Sequence, residues 1–217
     1  MAGRRAQQLE RGMDYLDRVF VLRPSKTKGE PSYLKAIFQA AGQPIPPALA
    51  DWEDRIGAWC ADYREASPSP QIVETNLGAS VYLFDLSAER VVLAYGISTQ
   101  QLQRRDTGRM KHFPDVNIGV RKILGDHALP SDRGHFLGHA SGGVLDINLF
   151  PQSRQLNRGW SQEGKHFRRM ERHVANHPGL FFYHRPIYDD PTWIPAKLEY
   201  GILMEDEQWW VEQFQNK

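Results

Sequence analysis

Between Ser131 and Asn157 the chain reads SDRGHFLGHASGGVLDINLFPQSRQLN, a segment with two histidines, two arginines, two asparagines and two glutamines around paired glycines. His135 carries an imidazole that titrates near pH ~6.5 when unperturbed, and Arg133, two positions earlier, shares its face if the stretch is a strand. A fixed positive charge beside a proton acceptor suits an anionic substrate. The amide oxygens of Asn148 and Asn157 are hard, neutral ligands suited to Mg²⁺, which keeps most of its waters and takes few protein contacts. A phosphate ester would complete such a shell. Downstream, Arg154, Arg158, Lys165, Arg168, Arg169 and Arg172 face only Glu163 and Glu171, so a basic patch follows the polar segment. Taken singly, each feature also has an ordinary use: a structural histidine, a turn-forming asparagine, a solvated helix face.

These groups need elements to hold them. Leu9, Met13, Leu16, Val19 and Phe20 recur at helical spacing before Pro24, and Tyr33, Leu34, Ile37 and Phe38 mark a second helix ended by Gly42. A third is expected from Pro47 to Ala66 with Leu49, Trp52, Ile56, Trp59, Cys60 and Tyr63 inward. SPSP at 67–70 is then the candidate boundary between a helical appendage, residues 1–70, and a second domain, 71–217. Past it, SVYLFDL and RVVLAYGI read as a hairpin. The stretch Ser98–Lys111 is polar and basic, and DVNIGVRKIL suits a short strand or helix. Glu163 to Asn176 reads as a helix, LFFYHRPIYDD and PAKLEYGILM as a strand pair, and EDEQWWVEQFQ as a short terminal helix. The order predicts an α+β fold.

Composition narrows the classes. The hydrophobic fraction of 41% with 24% charged residues is that of a folded globular chain, and a net charge of +1 means that any polyanion footprint must be local. The single cysteine, Cys60, rules out an internal disulfide framework and reads as a core residue. The arginine-bearing N-terminus lacks an apolar run of signal-peptide length, and no stretch approaches a membrane span. A cytoplasmic start is expected, with export by a machine that reads other signals left open.

Four ordered motifs, DRGH, GG with DINLFPQ, LNRG and a helix containing RRMER, resemble the DNA/RNA non-specific endonuclease family of ββα-metal (His-Me finger) nucleases. The likeness is closest to the bacterial branch found in standalone nucleases and toxin modules, and runs roughly from Ser80 to Leu203. It implies an α+β, ββα-metal nuclease core with an antiparallel sheet. It also implies that His135 is the general base, Arg133 the charge-stabilising arginine and Asn157 the ligand of one Mg²⁺, for which Mn²⁺ can substitute. An acidic helix residue would orient water around the ion. Glu171 borders the inner helix face and is preferred to Glu163, which suits the first turn of a helix. Asn148, Gln152, Arg154, Arg158 and Arg168 are expected to support the loop or contact substrate. An upstream arginine is expected among Arg90, Arg104, Arg105, Arg109 and Arg121.

The expected activity is endonucleolytic hydrolysis of DNA with weak sequence preference, since phosphate contacts carry no sequence information. RNA cleavage follows from the family alone. One rival is a nuclease that holds Zn²⁺ or Ni²⁺ through several histidines; His135 and His139 would pair at i, i+4 on a helix, which FLG and SGG argue against. Another is a nucleic-acid-binding or partner-docking module without turnover. If the chain is a toxin, an acidic inhibitor protein is the expected partner.

Overall fold

The computed structural model describes residues 23–24, 33–100 and 130–216. The expected first helix and the DVNIGVRKIL stretch lie outside them, as do residues 101–111 of the polar basic run.

Seven antiparallel strands make the central sheet, in the order β1 (Arg23–Pro24), β2 (Ile72–Leu77), β3 (Ser80–Asp85), β4 (Arg90–Ile97), β7 (Phe181–Ile187), β8 (Lys197–Leu203) and β9 (Trp209–Gln215). Two further strands, β5 (Ser131–His135) and β6 (Leu149–Ser153), form a separate antiparallel ribbon in full register, from Ser131 opposite Ser153 to His135 opposite Leu149. The ribbon is followed at once by a short helix, α3 (Arg154–Arg158), and then by α4 (Gln162–Asn176). With α1 (Tyr33–Ala40) and α2 (Trp52–Ala66), the architecture is α+β, with an antiparallel sheet carrying helices.

Each face of the sheet has its own apolar core. On one, Phe167, Met170 and Val174 of α4, spaced three and four apart, meet Ala94, Phe182, Leu198, Tyr200 and Phe214, with Phe136, Phe150 and Leu156 brought in by the ribbon and α3. On the other, Leu34, Ile37 and Phe38 of α1 and Trp52 and Cys60 of α2 pack on Val81, Leu83, Tyr95, Phe181 and Tyr183. Trp52 is wholly buried, edge-on to Tyr95 and Phe181 and stacked on Trp209 at 5.9 Å. Helices α1 and α2 therefore share a core with the sheet. Cys60 is buried in it, and burial pushes its thiol up to about 11.

The third helix follows its expected course, with Pro47–Leu49 as a 3-10 turn before α2. The C-terminal expectation is overturned. EDEQWWVEQFQ is not a helix: its last seven residues are β9, joined to β8 through a turn in which Glu207 has φ of 62°. A strand sends adjacent side chains to opposite faces, whereas a helix sets them about 100° apart. Trp209 joins the α2-side core and Trp210 the α4-side core, which only the strand allows. Strand β2, unmarked in the sequence reading, pairs throughout with β3. No helix among the described residues is long and apolar enough to cross a membrane.

Candidate active site

Ribbon β5–β6 carries DRGH on its first strand. The pleat sends Asp132 and Gly134 to one face with Phe150 and Gln152, and sends Ser131, Arg133 and His135 to the other with Leu149, Pro151 and Ser153. Gly134 is required: a Cβ there would run into the Gln152 side chain. Beyond His135 the loop is pinned from within. Asn148 accepts from the Leu137 N–H at 2.8 Å and donates to the carbonyls of Leu137 at 2.7 Å and Val144 at 2.8 Å. A Cβ on Gly143 would strike the Leu137 carbonyl, which accounts for one glycine of the pair. His139 begins a 3-10 turn, so His135 and His139 do not share a helix.

Helix α3 presents Arg154, Asn157 and Arg158 at i, i+3 and i+4, one face of a helix, and that face turns to Asp132. The Asp132 carboxylate accepts from Arg154 Nε at 3.1 Å, from Asn157 Nδ2 at 3.3 Å, and from Arg158 through Nε at 2.7 Å and a terminal nitrogen at 3.2 Å. Burial would raise its pKa, but hydrogen bonds from Arg158, Asn157 and Arg154 outweigh burial and hold the carboxyl below the usual aspartate value. The contact also orients Asn157: only the NH₂ end of an amide can face a carboxylate, so Oδ1 is turned away as the atom that can meet a cation.

Glu171 is 22% exposed, pairs with Arg168 at 3.3 Å, and its charge adds to burial in holding the Tyr200 hydroxyl well above its ordinary pKa. Its charge therefore reaches Tyr200 of β8. Glu163 serves elsewhere, its carboxylate accepting the Gln215 N–H on β9. It lines an open groove of about 570 Å³ between α4 and β9, with Lys165, His166, Arg169 and Arg172. On a helical wheel those groove residues fall on the flank of α4 away from Glu171.

No protein-family model matches the chain, and no curated protein does either.

Several expected site residues take other roles. Asn148 is wholly buried with its amide engaged on both ends, so of its two expected roles it takes the support of the loop and not the substrate contact. Gln152 is 1% exposed and packed against Gly134, so burial keeps it from the surface. Arg90, a candidate upstream arginine, is buried as a clamp: it donates to the Tyr63 hydroxyl, Ser67 Oγ and the carbonyls of Asp190 and Thr192, and lies over the Tyr188 ring at 4.1 Å. Arg104, Arg105, Arg109 and Arg121 lie outside the described residues. His135 is buried at 8% exposure and Arg133 is half-buried. Arg154, Arg158 and Arg168 are each committed to a carboxylate while partly exposed. Asp132 had no assigned role. Its signal was present in RQLNR, where three donors share the face of one helical turn and require an acceptor.

Among the described residues no three His, Cys, Asp or Glu side chains converge on one point. Asn157 offers an amide oxygen and Glu171, on the next helix, a half-buried carboxylate, groups of the kind that a hydrated Mg²⁺ or Mn²⁺ accepts without a cage of protein ligands.

Proposed function

We propose that the chain is a divalent-metal-dependent endonuclease of the ββα-metal kind, hydrolysing phosphodiesters of DNA with weak sequence preference and of RNA as a further substrate. One observation carries the reading: Asp132, on the strand that bears Arg133 and His135, holds Asn157 by its NH₂ end and gathers Arg154 and Arg158 beside it. Strand, strand and helix are thereby locked together where the motifs fall. Arg133 and His135 leave the ribbon on the face opposite Asp132 and Asn157, so the proposed site is completed at the edge of β5, where strong twist turns the two faces toward each other.

In this mechanism Asn157 Oδ1 would hold the ion and Glu171 would order water around it. Bound Mg²⁺ or Mn²⁺ supplies a Lewis acid that offsets charge on the scissile phosphate and on its leaving oxygen. His135 takes a proton from the water that attacks phosphorus in line. Arg133 offsets the charge that gathers on the equatorial oxygens. The exposed parts of Arg154, Arg158 and Arg168 attract the backbone without reading bases.

A plasmid-nicking assay tests the proposal. Wild-type chain nicks with Mg²⁺ and not with chelator, and His135→Ala loses about 10²–10⁴-fold, the worth of a general base. Equal rates for His135→Ala at neutral pH refute the assignment. Absence of nicking beside retained binding favours a docking module, and activity restored by Zn²⁺ or Ni²⁺ but not by Mg²⁺ after chelation favours the multi-histidine rival. A toxin role, with an acidic inhibitor covering the arginines, is an extension of this reading that binding assays with the inhibitor would check.

A further inference from the structure

Trp160 is 62% exposed, far more than the other large hydrophobic side chains that reach solvent among the described residues, Ile45 at 40% and Val211 at 42%. Its backbone is nonetheless fixed. Gly159 ends α3 in the left-handed region with φ of 69°, its N–H bonds to the Leu156 carbonyl at 3.2 Å, and the Trp160 N–H bonds to the Gln155 carbonyl at 2.9 Å. These paired bonds form a Schellman-type cap, where a large apolar side chain ordinarily folds back onto the helix. Here the indole stands in solvent. Ser161 begins α4 immediately afterwards, its Oγ accepting from the Gly164 N–H at 2.9 Å, so both sides of Trp160 are anchored.

The neighbours of the ring are cationic. The Arg158 guanidinium lies over it at 5.0 Å, and the same guanidinium is held by Asp132, the residue that orients Asn157. A rigid, exposed indole backed by an arginine therefore sits three residues beyond the proposed metal ligand. Such a surface can bind a flat π-system on its open face while nearby cations meet phosphates, the combination that proteins use to hold single strands.

We propose that Trp160 is a base-stacking platform, receiving one unstacked nucleobase next to the phosphate engaged at Asn157. The inference rests on the nuclease reading for the neighbouring site and adds a preference for single-stranded or locally opened substrate. Every base has a π-face, so the platform adds affinity without sequence choice. A base must leave its stack to reach the indole, which a strand without a complement does at least cost.

The test uses the full chain and a short fluorescent oligothymidylate, with chelator present so that binding is read without turnover. Trp160→Ala is expected to weaken binding about 5- to 100-fold, and Trp160→Phe to retain most of it, because alanine removes the stacking surface and phenylalanine keeps an aromatic one. A single abasic nucleotide, scanned along the oligonucleotide, should lower wild-type affinity at one position by a similar factor and leave the Trp160→Ala chain unaffected. Melting curves of the variants should match the wild type, since the ring is mostly solvated. Unchanged binding by Trp160→Ala overturns the inference, as does an equal Trp160→Ala loss on abasic and intact strands, which would mean that the indole acts on the strand's backbone and not on a base. Because chelator is present, Trp160-dependent stacking without nicking under Mg²⁺ supports the platform and sinks the nuclease. Nicking with unchanged Trp160→Ala binding does the reverse.

Discussion

Asp132→Asn isolates the contact on which the site depends. The substitution keeps size and shape but replaces one carboxylate oxygen by an NH₂ group. Oδ1 receives Arg154 and a terminal nitrogen of Arg158; Oδ2 receives Asn157 and Arg158 Nε. Whichever oxygen is replaced, two donors are left facing a donor. If the new NH₂ faces Asn157, the Asn157 amide must turn, and the oxygen proposed to meet the ion swings toward residue 132. Loss of an outer partner that orients a metal ligand typically costs about 10–100-fold in metal affinity, so the Mg²⁺ concentration for half-maximal nicking should rise by that factor. At saturating Mg²⁺ much of the rate should return. The lost bond from Arg154 or from Asn157, whichever oxygen is replaced, at about 1 kcal/mol net, should lower the melting temperature by roughly 2–4 °C for a chain of this size. Magnesium titration of the nicking rate, with thermal melts beside it, reads both effects. Wild-type Mg²⁺ dependence in Asp132→Asn would refute the view that this carboxylate positions Asn157.

Three further outcomes follow from the geometry. Glu171→Gln should reduce nicking by about ten-fold or more while Glu163→Gln leaves it near wild type, because Glu163 is engaged on the Gln215 N–H in the α4–β9 groove and Glu171 lies outside that groove; the opposite ranking reverses the assignment. Asn148→Ala strips buried partners from the Leu137 N–H and from two carbonyls, and should cost about 2–4 kcal/mol in denaturant titration; a loss under about 0.5 kcal/mol would show that the loop is not pinned this way. His184 is buried among Phe167 and Tyr200, and burial pushes its imidazole down to about 3. Below pH ~6.5 the unfolded chain binds a proton that the folded chain refuses, so this contribution to stability is intact above that pH and falls as pH drops toward the folded value. By pH 4.5 the loss is about 3 kcal/mol, and His184→Phe should remove that part of the acid slope; identical slopes in the two chains would count against it.

Much of the architecture was legible in local pattern. The spacing of Phe167, Met170 and Val174 marks α4 because those residues have one wall to face, and the run RVVLAYGI marks β4 because β-branched and aromatic residues fit a buried pleat. The terminal segment misleads for a definable reason. Trp209 and Trp210 are adjacent, and nothing nearby in sequence indicates that apolar cores lie on both sides of the strand they occupy.

The amino-acid sequence by itself determined which chemical groups were present and in what order: imidazole and guanidinium on one strand, an amide on the following helix, carboxylates and arginines beyond. Tertiary structure alone decided which groups serve the site and which serve the scaffold. Asn148 and Asn157 are the same residue type nine positions apart in one loop-like stretch, yet the first is sealed beneath the loop with its amide engaged and the second is half-exposed with its NH₂ end held by Asp132. The difference arises from where the chain is when it passes Leu137 and Asp132, and such encounters between distant segments depend on packing, which no local periodicity encodes.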